Sequence, residues 1–510
     1  MFRCRHPVEH IIVRRRIARI SRLSVLVTDH VIIHPPDHPS RIDDGPPTNG
    51  PAPGAAHPAR WRVGTLVYTA AGLCGLFFWL LWGDFSFYLK ERSVVPAMQL
   101  LLHRLHVSNL LVGILLVSLP AAIGLIVMPV VAYRSDRHRG RWGRRIPFLI
   151  APIPITLVAM LGLAFSPAIG REIHRALGRW SPGENASEIM ALAAAWALFE
   201  VCTTISNSVF LSLITDVVPR KVIGQFFALF RMVSLGAGML FQYFLFGQIE
   251  QHCVPIFLGI GAVYCLGFTA MCWKVKEGGY PAPPAEVPES GTGKGLFIRR
   301  FIGGVKIYCR DCFTFPYYRW VFLSFALPYL AGGAFNSFYV LYAKSLGMSM
   351  ATLGKYGALQ FLLSLLQAYP IGWLADRFHP LRLTIAALVM LVVSTLAAFF
   401  LVRDATSFGI ALVGCGSLSG FWLTSTASLP SVLFPHAKFA VFNSARLTTT
   451  SIATMIAGAA CGWMLDRLHH DYHYLFLWWF SFMSVAFFVT LAVYRGFVRY
   501  GGQGNYIAPE

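Results

Sequence analysis

From Val63 to Tyr494 the chain alternates long apolar stretches with short polar gaps, and this alternation limits the fold more than any other feature. An α-helix needs ~20 mostly apolar residues to cross the hydrocarbon of a bilayer. Twelve stretches meet that length, near 66–92, 107–132, 146–166, 188–214, 223–247, 254–273, 320–344, 351–375, 382–402, 406–434, 440–464 and 473–494. A long polar gap at 274–318 separates the first six from the last six. Only 13% of the 510 residues are charged, against about 25% in soluble domains, and mean hydropathy is +0.58. So little charge cannot coat a globule of this size in water. The expected fold is an all-α membrane protein of twelve transmembrane helices in two six-helix halves.

The net charge of +20 does not point to nucleic acid, because no basic stripe is interleaved with aromatic residues on a soluble face. The basic residues lie instead in the gaps between spans. With both termini on the cytoplasmic side, inside segments hold 31 of the Lys and Arg residues, outside gaps nine and spans three. Without residues 1–62 the balance is still 21 to nine, and positive charge marks the cytoplasmic side. Both termini are therefore expected inside.

Residues 1–62 read as a basic disordered tail, or as a translation start assigned upstream of the true one; their best apolar run, Leu23–Val27, is too short to span. The six-helix bundles are expected over 63–273 and 319–494, with a cytoplasmic tail at 495–510. In the 274–318 linker, Phe297, Phe301, Val305, Tyr308 and Cys312 recur near helical spacing among basic residues. This suits a helix lying on an anionic inner leaflet, with a solvated linker as the alternative. Ten cysteines are present, several inside spans, and the single close pair, Cys309 and Cys312, is weak evidence for a metal or redox site.

Two charged hairpins repeat across the halves: Ser135-Asp136-Arg137-His138-Arg139-Gly140-Arg141-Trp142-Gly143-Arg144-Arg145 and Gly372-Trp373-Leu374-Ala375-Asp376-Arg377. A second repeat pairs Pro219, Phe227 and Arg231 with Pro435, Phe442 and Arg446, each at the start of the fifth span of its half. Internal repeats of this kind are typical of secondary transporters. Gly462-Trp463-Met464-Leu465-Asp466-Arg467 has a similar composition but falls on the outer side, where the same role is not expected.

The paired Asp-Arg hairpins resemble the loop motif of the major facilitator superfamily over essentially all of the chain from Val63. Arg139-Gly140-Arg141-Trp142-Gly143-Arg144-Arg145-Ile146-Pro147-Phe148 is similar to the hairpin of the glycoside–pentoside–hexuronide:cation symporters, with a related sequence in sucrose-type proton symporters. The resemblance implies the major facilitator fold and secondary transport. It also implies an inner gate built from Asp136, Arg137 and Arg141, with Asp376 and Arg377 as counterparts. The alternative for these charges is that they only set topology.

Ionisable residues inside spans are the default site candidates, because burying them costs several kcal/mol. Asp84, in Trp79-Leu80-Leu81-Trp82-Gly83-Asp84-Phe85, resembles the first-helix Asp that contacts sugar hydroxyls in melibiose permeases. A carboxylate near an indole such as Trp82 suits a sugar ring. Glu91 follows by seven residues on the same face, although Lys90-Glu91-Arg92 fall at the edge of the expected span. Arg231 stands where the family carries a sugar-binding Arg, the alternative being an ion pair with Glu200 or Asp216. Glu200 is near the family's fourth-helix carboxylate, about one turn out of register. Trp422, with Asn336, Gln360, Gln367, Ser425 and Thr426, completes the candidates. No acidic residue lies between Val107 and Tyr133, so a sodium site of the melibiose type is not expected, and Asp84 or Glu200 is the candidate proton carrier.

No nucleotide-binding loop of the GxxxxGK[ST] type occurs. The expectation is a monomeric, multi-pass transporter of a bacterial inner membrane. It takes a small solute, a sugar or glycoside, with a proton, and needs no cofactor, no metal and no enzymatic step. The alternatives are a permease for an organic anion or muropeptide-like solute, and a non-transporting sensor or assembly relative.

Overall fold

The computed structural model describes residues 61–279, 310, 312–435, 438–503 and 505–509. The tail up to residue 60, most of the proposed linker helix and the Asp376 side chain lie outside the described residues. Among the described residues, twelve long helices follow one another: α1 (Ala70–Arg104), α2 (Asn109–Arg137), α3 (Ile146–Ala164), α4 (Glu184–Val217), α5 (Ile223–Gln248), α6 (Cys253–Lys274), α7 (Pro316–Ser345), α8 (Met350–Phe378), α9 (Pro380–Leu401), α10 (Ala405–Leu433), α11 (Phe439–Arg467) and α12 (Tyr474–Arg499). Eleven are long and apolar enough to cross a membrane. The helix α11 has the length, but it carries Asn443, Ser444, Arg446, Thr448, Thr449, Thr450 and Ser451 along one stretch. Below, helix ends on the side of the 133–145 hairpin are called inner, following the charge assignment.

Two elements differ from the expected spans. Residues assigned to the end of the tail and the start of the first span form a hairpin, β1 (Trp61–Val63) and β2 (Leu66–Tyr68), closed by Gly64-Thr65. Gly64 has φ +55, the positive φ that a two-residue hairpin turn requires and that glycine adopts without penalty. The outer gap after α3 holds a short helix, Ser166–Leu177, with Arg171 and Arg175 on its exposed face.

The expected end of the first span at residue 92 is also corrected. Helix α1 runs on to Arg104, so Lys90, Glu91 and Arg92 lie near its middle. Hydropathy dips there because three charges are consecutive, yet the backbone has no reason to break: each charge finds a protein surface rather than lipid. Two fewer basic residues then remain in the outer gaps, which strengthens the charge asymmetry.

The apolar core divides by depth. Toward the outer side, one cluster includes residues of both halves, among them Trp196, Phe199, Phe241, Phe335, Phe338 and Phe476. Toward the inner side, Phe210, Phe226, Tyr264 and Phe268 form a cluster within the first half, and Tyr318, Phe322, Phe434 and Phe442 form another within the second. The halves therefore share a core at the outer end and keep separate cores at the inner end. Where they cross, backbones approach closely: a Cβ on Gly458 would sit 2.6 Å from Val117 Cβ and 2.8 Å from Ser118 Oγ. The facing stretch of α2, Ile114–Ser118, is a π-bulge, as is Phe241–Leu245 of α5 against α8. Such bulges shift the phase of a helix face, and they recur at functional positions.

Candidate functional site between the two halves

The site begins on α1. Asp84 is fully buried, and neither carboxylate oxygen has a hydrogen-bond partner among the described residues. Tyr88 and Glu91 follow at four and seven residues, on the same helical face. Trp82 lies on a different face, 41% exposed and stacked on Phe85 at 5.8 Å, so the structure does not bring its indole to Asp84.

Beyond Asp84, a cavity of about 280 Å³ lies between the halves, and Glu91, Arg92, Gln242, Asn336, Tyr339 and Gln360 are among its lining residues. These come from α1, α5, α7 and α8, so neither half forms the cavity alone. The Arg92 guanidinium stands 5.3 Å from the Phe361 ring and 5.9 Å from Tyr88. Gln99 Nε2 donates to the Asn336 carbonyl at 2.8 Å, tying α1 to α7 beside the cavity. Asn336 and Gln360 were sequence candidates. Arg92, Gln242 and Tyr339 were missed, because nothing in a linear pattern shows which polar residues of separate helices converge.

A second polar group lies toward the inner side. Arg231 of α5 and Arg446 of α11 both fall within electrostatic range of Tyr329 on α7, and Arg231 also of Arg92 and Tyr88. Trp422 packs edge-on against Tyr329, with ring centroids 5.6 Å apart. Arg446 stacks over Phe325 at 5.0 Å and donates from Nε to Asn443 Oδ1 at 3.0 Å. Among the described residues no carboxylate forms an ion pair with Arg231 or Arg446, so the alternative pairing of Arg231 with Glu200 or Asp216 does not occur. Asp216 is occupied elsewhere.

Glu200 on α4 is not among the lining residues of this cavity and falls within electrostatic range of Lys90 and Glu91. Lys90 is completely buried on the back of α1, where its Nζ donates to Thr203 Oγ1 at 3.0 Å. The rings of Phe87, Tyr264 and Phe199 surround it at 4.3, 4.7 and 5.0 Å. An ammonium in such a cage exchanges hydration for aromatic faces.

Of the candidate gate residues, Asp136 enters an ion-pair network inside the first half. Asp136 is 2.5 Å from Arg145 Nη2 and 4.0 Å from Arg144 Nη1. Arg144 and Arg145 also hold Asp216 at the inner end of α4, at 2.8 and 3.1 Å. Glu277, beyond α6, accepts the backbone N–H groups of Arg144, Arg145 and Ile146 at 2.9, 2.8 and 2.8 Å, capping α3 where orphan donors and the helix dipole favour an anion. Arg137 stacks on Tyr133 at 4.3 Å, Arg141 lines a surface cleft with Trp142, and Arg377 packs on Trp373 at 5.4 Å. Arg144, Arg145, Asp216 and Glu277 carry most of this network, and none was a sequence candidate for it.

Comparison with known proteins gives the family and the fold. The family model described as Major Facilitator Superfamily matches residues 80–458. No curated protein sequence matches the chain. Among solved structures, a bacterial homolog of the human lysosomal transporter Spinster, in an inward-facing unoccupied conformation, superposes with a TM-score of 0.60 at 14% identity, covering 86% of this chain and 99% of that one. A D-xylose-proton symporter gives 0.58 at 12% identity, covering 83% and 97%. A POT family transporter in complex with a thioalcohol-conjugated peptide gives 0.58 at 14% identity, covering 83% and 95%. At these identities the likeness concerns the fold. With twelve helices in two halves around a polar cavity, and a family model matched over most of its length, the chain belongs to the major facilitator superfamily of membrane transporters.

Proposed function

We propose that this transporter carries a sugar or glycoside together with a proton, by rocking its halves around the central cavity. The observation that carries the reading is Asp84, a fully buried carboxyl with both oxygens unpartnered among the described residues. An ionised carboxylate left unpaired in such a place is strongly disfavoured. A proton that is loaded and released during the cycle gives the group a role. The cavity supports a hydroxylated solute: Gln242, Asn336, Gln360 and Tyr339 offer donors and acceptors, while Glu91 and Arg92 balance each other in charge. Glu200, near Lys90, is the second proton carrier in this reading, and Arg231 and Trp422 are solute contacts at the inner side. Asp136, Arg137 and Arg141 with Asp376 and Arg377 form the inner gate. The reading takes the transporter to be a monomer in a bacterial inner membrane.

A second reading, an organic-anion permease, is favoured by Arg231 and Arg446 flanking Tyr329 without a paired carboxylate among the described residues. Proteoliposomes with an internal pH-sensitive dye separate the two. Internal acidification on adding a mono- or disaccharide without sodium, lost in Asp84→Asn, is the result expected of proton-coupled sugar import. Uptake of an anionic solute that survives Asp84→Asn but is lost in Arg231→Gln would replace it with the anion reading.

A further inference from the structure

At the outer side each half grips the other through an acidic residue at the end of its fifth helix. In the second half this is Asp466, close to the end of α11. Its Oδ1 accepts the Asn109 N–H at 2.9 Å and its Oδ2 the Leu110 N–H at 2.8 Å, at the start of α2 in the first half. These are backbone donors that α2 cannot satisfy within itself, and they lie at the positive end of its dipole. The Asn109 side chain extends the grip: Tyr472 Oη donates to its Oδ1 at 3.0 Å, and its Nδ2 lies 2.5 Å from His470 Nδ1. One turn back on α11 stands Gly462, where a Cβ would fall 2.8 Å from Leu110 Cα. A side chain there would hold α11 away from α2 and carry Asp466 out of reach.

The first half repeats the arrangement. Glu250, just beyond α5, forms an ion pair with Lys344 at the end of α7 in the second half. Three residues earlier, Gly247 lies so close to the start of α8 that a Cβ there would be 2.9 Å from both Cα and Cβ of Ala351. Each fifth helix thus ends in a glycine for close approach followed by an acid that reaches across. The stretch 462–467, which the sequence excluded from the role of the inner hairpins, takes a mirrored role at the opposite face. At the inner side, Asp136, Asp216 and Glu277 are held by Arg144 and Arg145 of their own half, and the apolar cores are separate.

We propose that Asp466 and Glu250 are the outer latch of the transport cycle, with Asp466 as the principal positioning residue, and that this pair sets the resting preference for a closed outer side. The proposal rests on the alternating-access reading, but its test needs no solute. Asp466 is the stronger arm because its side chain is 25% exposed, against 42% for Glu250, and because it holds two backbone donors.

Hydrogen–deuterium exchange of the full chain in lipid nanodiscs reads both faces at once. In Asp466→Ala, exchange should rise by about tenfold in peptides covering 106–116 and 460–472, since two charge-assisted bonds are lost. It should fall in peptides covering 133–146 and 430–442, as the population moves toward the form open outside. Asp466→Asn keeps one acceptor oxygen and should lie between. Glu250→Gln should shift both faces in the same directions by less, and it carries the test alone if Asp466→Ala does not fold. A rise at both faces would mean a merely structural role and overturn the proposal, as would unchanged exchange at the outer peptides. If no solute is transported in proteoliposomes while the opposed shifts appear, the latch stands and the sugar reading falls.

Discussion

Asp136 and Arg145 are paired at 2.5 Å, and both belong to the first half. In this conformation the Asp-Arg hairpin ties the inner ends of helices of its own half together. The pairing separates two kinds of charge. Asp136 is 56% exposed, whereas Arg145 is 7% and Asp216 16% exposed. Asp136→Ala should therefore lower stability by under about 1 kcal/mol. Asp216→Ala leaves two largely buried guanidiniums short of their partner and should cost about 3 kcal/mol. Thermal unfolding of the purified variants in detergent gives the order, and equal losses would show that exposure does not govern this network.

Lys90 offers a test of whether a caged charge stabilises. Its ammonium has one hydrogen bond and three aromatic faces but no carboxylate within ion-pair distance among the described residues. A buried charge of this kind adds little to stability compared with an apolar side chain of the same shape. Lys90→Met should melt at or above the wild-type temperature. Lys90→Ala should lose about 3 kcal/mol through the cavity left behind. If Met is as damaging as Ala, the cage depends on the charge rather than on volume.

The crossing of α2 and α11 predicts intolerance to bulk. Gly458→Leu places a side chain where Val117 and Ser118 already lie within 3 Å of the Cβ position. Overpacking of this sort costs about 1–3 kcal/mol, and the strain falls on the shared outer core rather than on either half alone. Intrinsic tryptophan fluorescence during heating should show the loss. Gly124, whose added Cβ meets nothing within 4 Å, is the control position and should accept alanine without penalty.

A pH effect is expected at the inner hairpin between α8 and α9. His379 Nδ1 accepts the Leu381 N–H at 3.3 Å, which requires an unprotonated ring nitrogen. Partial burial and the neighbouring Arg382 hold its pKa below the ordinary value of 6.5. With the folded-state value depressed, the contribution is complete above the unfolded value and is lost as pH falls through the folded one. Melting measured from about pH 7.5 down to pH 5 should fall more in the wild type than in His379→Asn. Asn can cap the same turn and tolerates the positive φ of +74 seen at this residue. Parallel curves for the two proteins would exclude His379 as the source of the pH dependence.

The sequence by itself determined the solvent and the number of crossings. A chain with this little charge and twelve apolar stretches has to satisfy its backbone inside helices, and that requirement is local enough to read residue by residue. It also singled out Asp84 and Arg231 as candidates, because an ionisable group inside an apolar span stands out without any knowledge of its neighbours. It stopped the first helix at the three charges 90–92, since hydropathy registers their polarity but not the aromatic cage and the cavity that receive them. Only the tertiary structure decided which of these residues meet. Trp82 and Asp84 are two apart in sequence and point different ways around the helix, whereas Asp466 and Asn109 are 357 apart and hydrogen-bonded. Helical periodicity fixes the face a side chain occupies, but the partner on that face comes from packing between helices distant along the chain.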